Sequence, residues 1–160
     1  MKYLDDIAVG ERFVLGSHTF RAEEIKAFAR RFDPQRFHVD EDEAKRSHFG
    51  ALCASGWHTA VVWMRLMIEY RKREDEAARR RGAQPATIGP APGFRNLKWL
   101  KPVYVDDTIG YVAEVIEARR SNSRPGWGLL SLRGSGANQR GETVITFEST
   151  TFLECRPGSQ

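Results

Sequence analysis

The stretch that decides the fold is an apolar run in the middle of the chain. It reads Ser55-Gly56-Trp57-His58-Thr59-Ala60-Val61-Val62-Trp63-Met64-Arg65-Leu66-Met67-Ile68. Its apolar side chains recur at the period of an α-helix, and in the early turns they cover much of the helix circumference. A helix that is apolar on most sides needs other elements around it. The run therefore predicts a long helix that begins near Ser55 and is almost wholly buried at its start.

The segments on either side of this helix predict what surrounds it. Before it, a strand over 13–20 is followed by a short helix that Pro34 ends, since the residue before a proline is pushed out of the α region. After a proline- and glycine-rich loop, alternating apolar residues predict four strands, at 94–105, 108–119, 127–136 and 143–155. Helices first and strands second are typical of an α+β domain.

The predicted strands are long for a chain of 160 residues, so their sheet must curve around an object. The apolar helix is the one predicted element large enough to be that object. We therefore expect a single domain over 1–156, in which a curved antiparallel sheet wraps a long central helix. Residues 157–160 are expected to form a C-terminal tail that has little to bury.

Composition excludes several classes of protein. The net charge is +4, but the excess is spread along the chain apart from Arg79–Arg81, and no nucleic-acid-binding motif is present. No stretch has the length of a membrane span, and the acidic N-terminus does not resemble a signal peptide. Cys53 and Cys155 have neither metal-ligand nor disulfide spacing. We expect a cytoplasmic protein that binds neither nucleic acid nor membrane and holds no metal.

Chemistry-bearing residues concentrate between residues 32 and 60. Asp33 and His38 lie five apart in a stretch with little regular structure, where they can converge as a proton-transfer pair. Gly56 opens the apolar helix, so its backbone N–H can approach a ligand carbonyl where the helix dipole favours negative charge. The alternative interpretation is structural, with Asp33 as a turn residue and Ser55 as a helix N-cap.

The order of these motifs resembles the MaoC-like dehydratases, which include the (R)-specific enoyl-CoA hydratases. The aspartate-to-histidine spacing matches, and so does the small-residue approach to the helix at 54–56. The stretch 94–103, with Phe94 first and Pro102-Val103 last, looks like the strand of that family that begins with phenylalanine and ends with Pro-Val. Gln35 and Arg36 depart from the usual Asn-Pro, and Met64 stands where some members carry a helix serine.

The resemblance implies a hotdog fold and a homodimer or higher homo-oligomer. It also implies an enzyme that reversibly adds water to a trans-2-enoyl-CoA. Asp33 and His38 would be the acid/base pair and the Gly56 N–H the oxyanion donor. Coenzyme A enters as part of the substrate, with no other cofactor. The residues predicted to bind substrate are Gln35, Phe37, Ser55, Trp57 and His58.

Two of these residues have a structural alternative: a core position for Trp57 and a satisfied buried histidine for His58. Two other functions also remain open: a hotdog acyl-CoA thioesterase and a non-catalytic acyl-CoA-binding module.

Overall fold

The computed structural model describes residues 1–158, which form one antiparallel sheet and four helices. A 3-10 turn, Leu4–Asp6, precedes the first strand. The strands are β1 Arg12–Thr19, β2 Gly93–Trp99, β3 Thr108–Arg120, β4 Trp127–Ala137 and β5 Thr143–Glu154. The helices are α1 Ala22–Phe32, α2 Arg36–Val39, α3 Glu41–Arg46 and α4 Gly56–Arg80. The predicted tail at 157–160 lies partly outside the described residues.

The five strands pair in the order β1-β3-β4-β5-β2, and every pair is antiparallel. Along β3 the side chains alternate between the two faces, as predicted, and the core face carries Ile109, Tyr111, Ala113 and Val115, all fully buried. A tight turn joins β4 and β5, and there the side chain of Asn138 accepts from the backbone N–H groups of Arg140 and Glu142.

Helix α4 lies against the core face of this sheet, as the sequence predicted. The Trp63 indole donates to the backbone carbonyl of Val112 at 3.1 Å and its ring meets Phe147 edge-on, with centroids 4.7 Å apart. The Tyr111 hydroxyl donates to the carbonyl of Thr59 at 3.1 Å. The sheet thus holds the first turns of α4 from β3 and β5, and this contact fixes where the N-terminus of the helix lies.

The prediction that α4 is almost wholly buried at its start was wrong for one face. Trp57, Val61, Met64 and Ile68 follow one another along the helix, and each is 43–53% exposed. The buried face carries His58, Thr59, Val62, Trp63, Leu66 and Met67. A single curved sheet covers only part of a helix circumference, so the apolar residues on the other side of α4 stay about half exposed.

Two predicted boundaries also differ from the structure. The strand expected over 94–105 ends at Trp99, because the chain then leaves β5 and the carbonyl of Val103 accepts from the Ala54 N–H at 2.8 Å. The short helix α2 forms within a stretch that was expected to have little regular structure, and α3 follows it, capped by the side chain of Asp40. Within residues 1–158 no helix is both long and apolar enough to span a bilayer.

Candidate active site

A pocket of about 420 Å³ opens where the α1–α2 connection, the start of α4 and the segment after β2 meet. Most of the residues that line it are aromatic or aliphatic and a few are polar, as in many small-molecule sites. Seven of the eight predicted site residues line it: Asp33, Gln35, Phe37, His38, Ser55, Gly56 and Trp57. The eighth, His58, does not.

Asp33 reaches this pocket because α1 ends there. Its N–H makes a helical bond to the carbonyl of Ala29 at 2.8 Å, but its backbone leaves the helical region and Pro34 follows. Both oxygens of its side chain are held. The Ser55 hydroxyl donates to Oδ2 at 2.6 Å and the Gln35 amide donates to Oδ1 at 2.9 Å. The orientation of the carboxylate is therefore fixed from two sides.

The ionisation of Asp33 follows from the same contacts. Burial raises the pKa of this carboxyl, but the hydrogen bonds from Ser55 and Gln35, together with the adjacent His38, outweigh burial and hold the pKa below its usual value. Hydrogen bonds donated to a carboxylate favour its charged form. Asp33 is therefore an anion at neutral pH and can act as a proton acceptor.

His38 faces Asp33 from the short helix α2 and is only 5% exposed. Its Nδ1 lies 2.7 Å from the carbonyl oxygen of Cys53, which can only accept, so Nδ1 carries the proton. In the neutral ring Nε2 is then free to accept, and it lies 3.6 Å from Oδ2 of Asp33. That separation is too long for a direct hydrogen bond but suits a water molecule bonded to both atoms.

Gly56 is the first residue of α4, so its N–H has no acceptor within the helix. Ser55 caps this end by accepting from the Trp57 N–H at 3.2 Å. A glycine at this position also has a packing role that the sequence did not predict. A Cβ at this position would lie 2.5 Å from a ring atom of Trp99, so the glycine allows the Trp99 indole to pack directly on the backbone.

Sequence reasoning missed one wall of the pocket, formed by Trp99, Leu100, Lys101, Pro102 and Val103. The Phe94 to Val103 pattern had indicated that this region matters, but it was assigned to a continuous strand. Met64, predicted to replace a supporting serine of the site, is half exposed and does not line the pocket. Ser55 supplies a serine hydroxyl to the carboxylate instead.

The prediction that His58 binds substrate is at odds with its position. Its ring stacks on Phe28, with centroids 4.4 Å apart and planes 4° from parallel, and meets Phe20 edge-on at 5.0 Å. These contacts place it between α1 and Phe20, the residue that follows β1, and it does not line the pocket. The alternative of a satisfied buried histidine is also only half right, because Nδ1 is buried with no hydrogen-bond partner among the described residues.

Comparisons with known proteins identify the family of this chain. The sequence model of the MaoC-like domain matches residues 8–125. A MaoC-like dehydratase from Rhodospirillum rubrum is 36% identical, superposes with a TM-score of 0.83, and the match covers 98% of this chain and 99% of that one. The uncharacterized protein YdeM of Bacillus subtilis is 28% identical over 151 residues, which are 94% of this chain and 98% of YdeM.

An (R)-hydratase from A. caviae involved in PHA biosynthesis is 21% identical and superposes with a TM-score of 0.65, and the match covers 94% of this chain and 98% of that one. At this identity the match shows a similar fold. The wrapped helix and the antiparallel sheet define a hotdog-fold protein. Within that class, the match over residues 8–125 shows that the chain belongs to the MaoC-like family.

Proposed function

We propose that this protein is an acyl-thioester hydratase that reversibly adds water to a trans-2-enoyl-CoA. The observation that carries the proposal is the juxtaposition of Asp33 and His38, with Oδ2 and Nε2 3.6 Å apart and both side chains lining one pocket. One acceptor is an ionised carboxylate, and the other is the ring nitrogen Nε2, which accepts in the tautomer that the Cys53 carbonyl selects. A water molecule between them would be held by two proton acceptors and aimed at a bound ligand.

The reaction balances with these groups alone. The water oxygen bonds to C3 of the enoyl chain and the π electrons move toward C2 and the thioester oxygen. The proton lost by the water passes to the Asp33–His38 pair, which then gives one proton to C2. The pair ends in the protonation state in which it began. Such acid/base assistance contributes about 10²- to 10⁴-fold in rate.

The start of α4 supplies the second contribution. The Gly56 N–H lies at the pocket and would donate to the thioester carbonyl, where negative charge develops as water adds. The positive end of the dipole of this 25-residue helix favours the same charge. A single oxyanion donor of this kind is worth roughly 10²- to 10³-fold in rate.

The test is a three-way assay of the wild-type protein with trans-2-butenoyl-CoA. Hydration removes the ultraviolet absorbance of the conjugated enoyl thioester without releasing a thiol, and this is the expected result. Release of free coenzyme A thiol would instead identify a thioesterase. Saturable binding with neither change would identify a non-catalytic binding module. Either of the last two results would overturn the hydratase proposal for this substrate.

We also propose that the chain assembles as a homodimer through the exposed face of α4 and the neighbouring strand β2. The apolar side chains left exposed there are Trp57, Val61, Met64, Ile68, Phe94, Trp99 and Leu100. Trp57 joins the two elements, since its ring lies 5.1 Å from that of Trp99 and 6.5 Å from that of Phe94. Apolar residues gathered in this way mark an interaction surface, and a two-fold axis would cover both copies at once.

Strand β2 supports the same surface because it lies at one end of the sheet order and has a free edge. The variant Met64→Glu places a charge in the middle of the patch and should convert a dimer into a monomer in light scattering after gel filtration. Val9→Glu is the matched control, since Val9 is also exposed but lies outside the patch. A wild-type protein that is already monomeric would overturn this part of the proposal.

A further inference from the structure

Ser55 connects the cap of α4 to the candidate base. Its side chain makes two hydrogen bonds, accepting from the Trp57 N–H at 3.2 Å and donating to Oδ2 of Asp33 at 2.6 Å. The residue is 1% exposed. We propose that Ser55 is a positioning residue, which fixes the carboxylate of Asp33 and sets its ionisation for the hydration reaction. This inference rests on the proposed function, but its first test does not depend on turnover.

The direction of the hydrogen bond is set by chemistry. A serine hydroxyl has a single proton, and the bond that caps α4 uses an oxygen lone pair. The proton is therefore available to Asp33, whose ionised carboxylate can only accept. The receiving atom, Oδ2, is also the carboxylate oxygen that lies 3.6 Å from Nε2 of His38. Ser55 thus acts on the oxygen that would share a water molecule with the histidine.

Gln35 holds the other oxygen, but the two donors are not equivalent. Gln35 is exposed, so water can replace its amide at Oδ1. Ser55 is buried, and its hydroxyl is anchored to the first turn of a helix that packs on the sheet. A hydrogen bond to a charged group is stronger when water is excluded from it. Ser55 should therefore be the principal restraint on the plane and the charge of the carboxylate.

Loss of this hydroxyl has a predictable direction. Burial already raises the pKa of Asp33, and the hydrogen bond from Ser55 opposes that effect. Without Ser55 the pKa of Asp33 should rise, because one charge-assisted hydrogen bond to the carboxylate is lost. The acidic limb of the kcat/KM profile should then move to higher pH. The mobile carboxylate should also lower kcat by roughly 10- to 100-fold.

The test compares Ser55→Gly, Ser55→Ala and Ser55→Thr with the wild-type protein. Glycine is a tolerated N-cap residue, so Ser55→Gly removes the hydroxyl at little cost to the stability of the helix. Ser55→Ala removes the hydroxyl and also leaves a poor N-cap residue. Ser55→Thr keeps the hydroxyl and should retain the pKa of Asp33 even where its extra methyl group lowers stability. Asp40→Gly is the control, because it removes the cap of α3, which lies outside the pocket.

The first readout is a carbon NMR titration of the Asp33 carboxyl group, and the second is the pH profile of kcat/KM. A raised Asp33 pKa in the glycine and alanine variants, with none in the threonine and Asp40→Gly variants, is the expected result. The same shifts in a protein that hydrates no enoyl-CoA would support Ser55 as the positioning residue while overturning the hydratase proposal. An unchanged Asp33 pKa in Ser55→Gly would overturn this inference whatever the activity.

Discussion

Two buried histidines near the start of α4 differ in almost everything except burial. His38 is 5% exposed and His58 is 8% exposed. The Nδ1 of His38 bonds the carbonyl of Cys53 at 2.7 Å, and its Nε2 lies near Asp33 in the pocket. The Nδ1 of His58 has no partner in the described chain, and its ring is enclosed by Phe28 and Phe20.

Burial alone therefore does not make a histidine reactive. Burial lowers the pKa of His58 to about 4, although Glu24 favours its charged form, and the charges of His18 and Arg65 act in the same direction as burial. His18 and Glu24 are themselves paired at 2.6 Å, and Arg65 contacts His18 at 3.1 Å. His58 is thus a neutral packing residue, whereas His38 has one nitrogen fixed and the other directed at a pocket.

The largest effect expected from this comparison is on turnover. His38→Gln should lower kcat for trans-2-butenoyl-CoA by about 10²- to 10⁴-fold, because the second proton acceptor is lost. His58→Leu replaces the other ring with an apolar side chain of similar bulk and should leave kcat close to that of the wild-type protein. Steady-state kinetics on both variants make the comparison. Equal losses in the two would show that His58 belongs to the site after all.

The next effect is on stability in acid. The pKa of His58 falls from 6.5 to about 4 on folding, so the unfolded chain binds the proton more readily. The contribution of neutral His58 to the stability of the folded state is fully present above pH 6.5 and is lost as the pH falls from 6.5 toward 4. A loss of ~2 kcal/mol in the free energy of unfolding is expected between pH 7.5 and 4.5.

Urea denaturation at the two pH values measures this loss. In His58→Leu the acid-induced loss of unfolding free energy should be smaller by that amount. The contributions of the carboxyl groups are the same in the variant and the wild-type protein, so they cancel when the two losses are subtracted. An identical loss of stability in the variant and the wild-type protein would show that His58 is protonated as easily in the folded state as in the unfolded one.

A smaller effect is expected at Cys53, whose carbonyl fixes the tautomer of His38. The bond uses the backbone, so Cys53→Ala should keep the activity, although Sγ lies 3.7 Å from Nδ1. Burial raises the pKa of this thiol to about 11, so it is no nucleophile at neutral pH. The variant should lose about 1 kcal/mol of stability from the small cavity. A large fall in kcat with unchanged stability would mean that the thiol itself takes part.

Much of the site could be predicted from the sequence because its signals are local. Asp33 lies before a proline that ends α1, and the apolar run places Gly56 at the start of a helix, so both positions follow from backbone rules. The five-residue spacing of Asp33 and His38 predicted that the two side chains form a proton-transfer pair. The strand alternation on β3 likewise predicted which face of the sheet meets α4.

The remaining features depend on contacts that a sequence pattern does not record. Helical periodicity predicts an apolar face but not what covers it, which is why the exposed side of α4 was expected to be buried. His58 lies two residues after Gly56, yet a helix turns about 200° over two residues and so directs it away from the pocket. The wall after Trp99 forms because Val103 pairs with Ala54, a contact between segments far apart in sequence.

The most direct test of the account is the rate at which Asp33→Asn removes the absorbance of trans-2-butenoyl-CoA, measured beside the wild-type protein. Asparagine keeps the size of the side chain but cannot accept the proton of the attacking water. The wild-type protein should remove the absorbance of the enoyl thioester, and the folded variant should do so about 10²-fold more slowly or slower still. A variant as active as the wild-type protein would contradict the central role of Asp33, and with it the mechanism built on the Asp33–His38 pair.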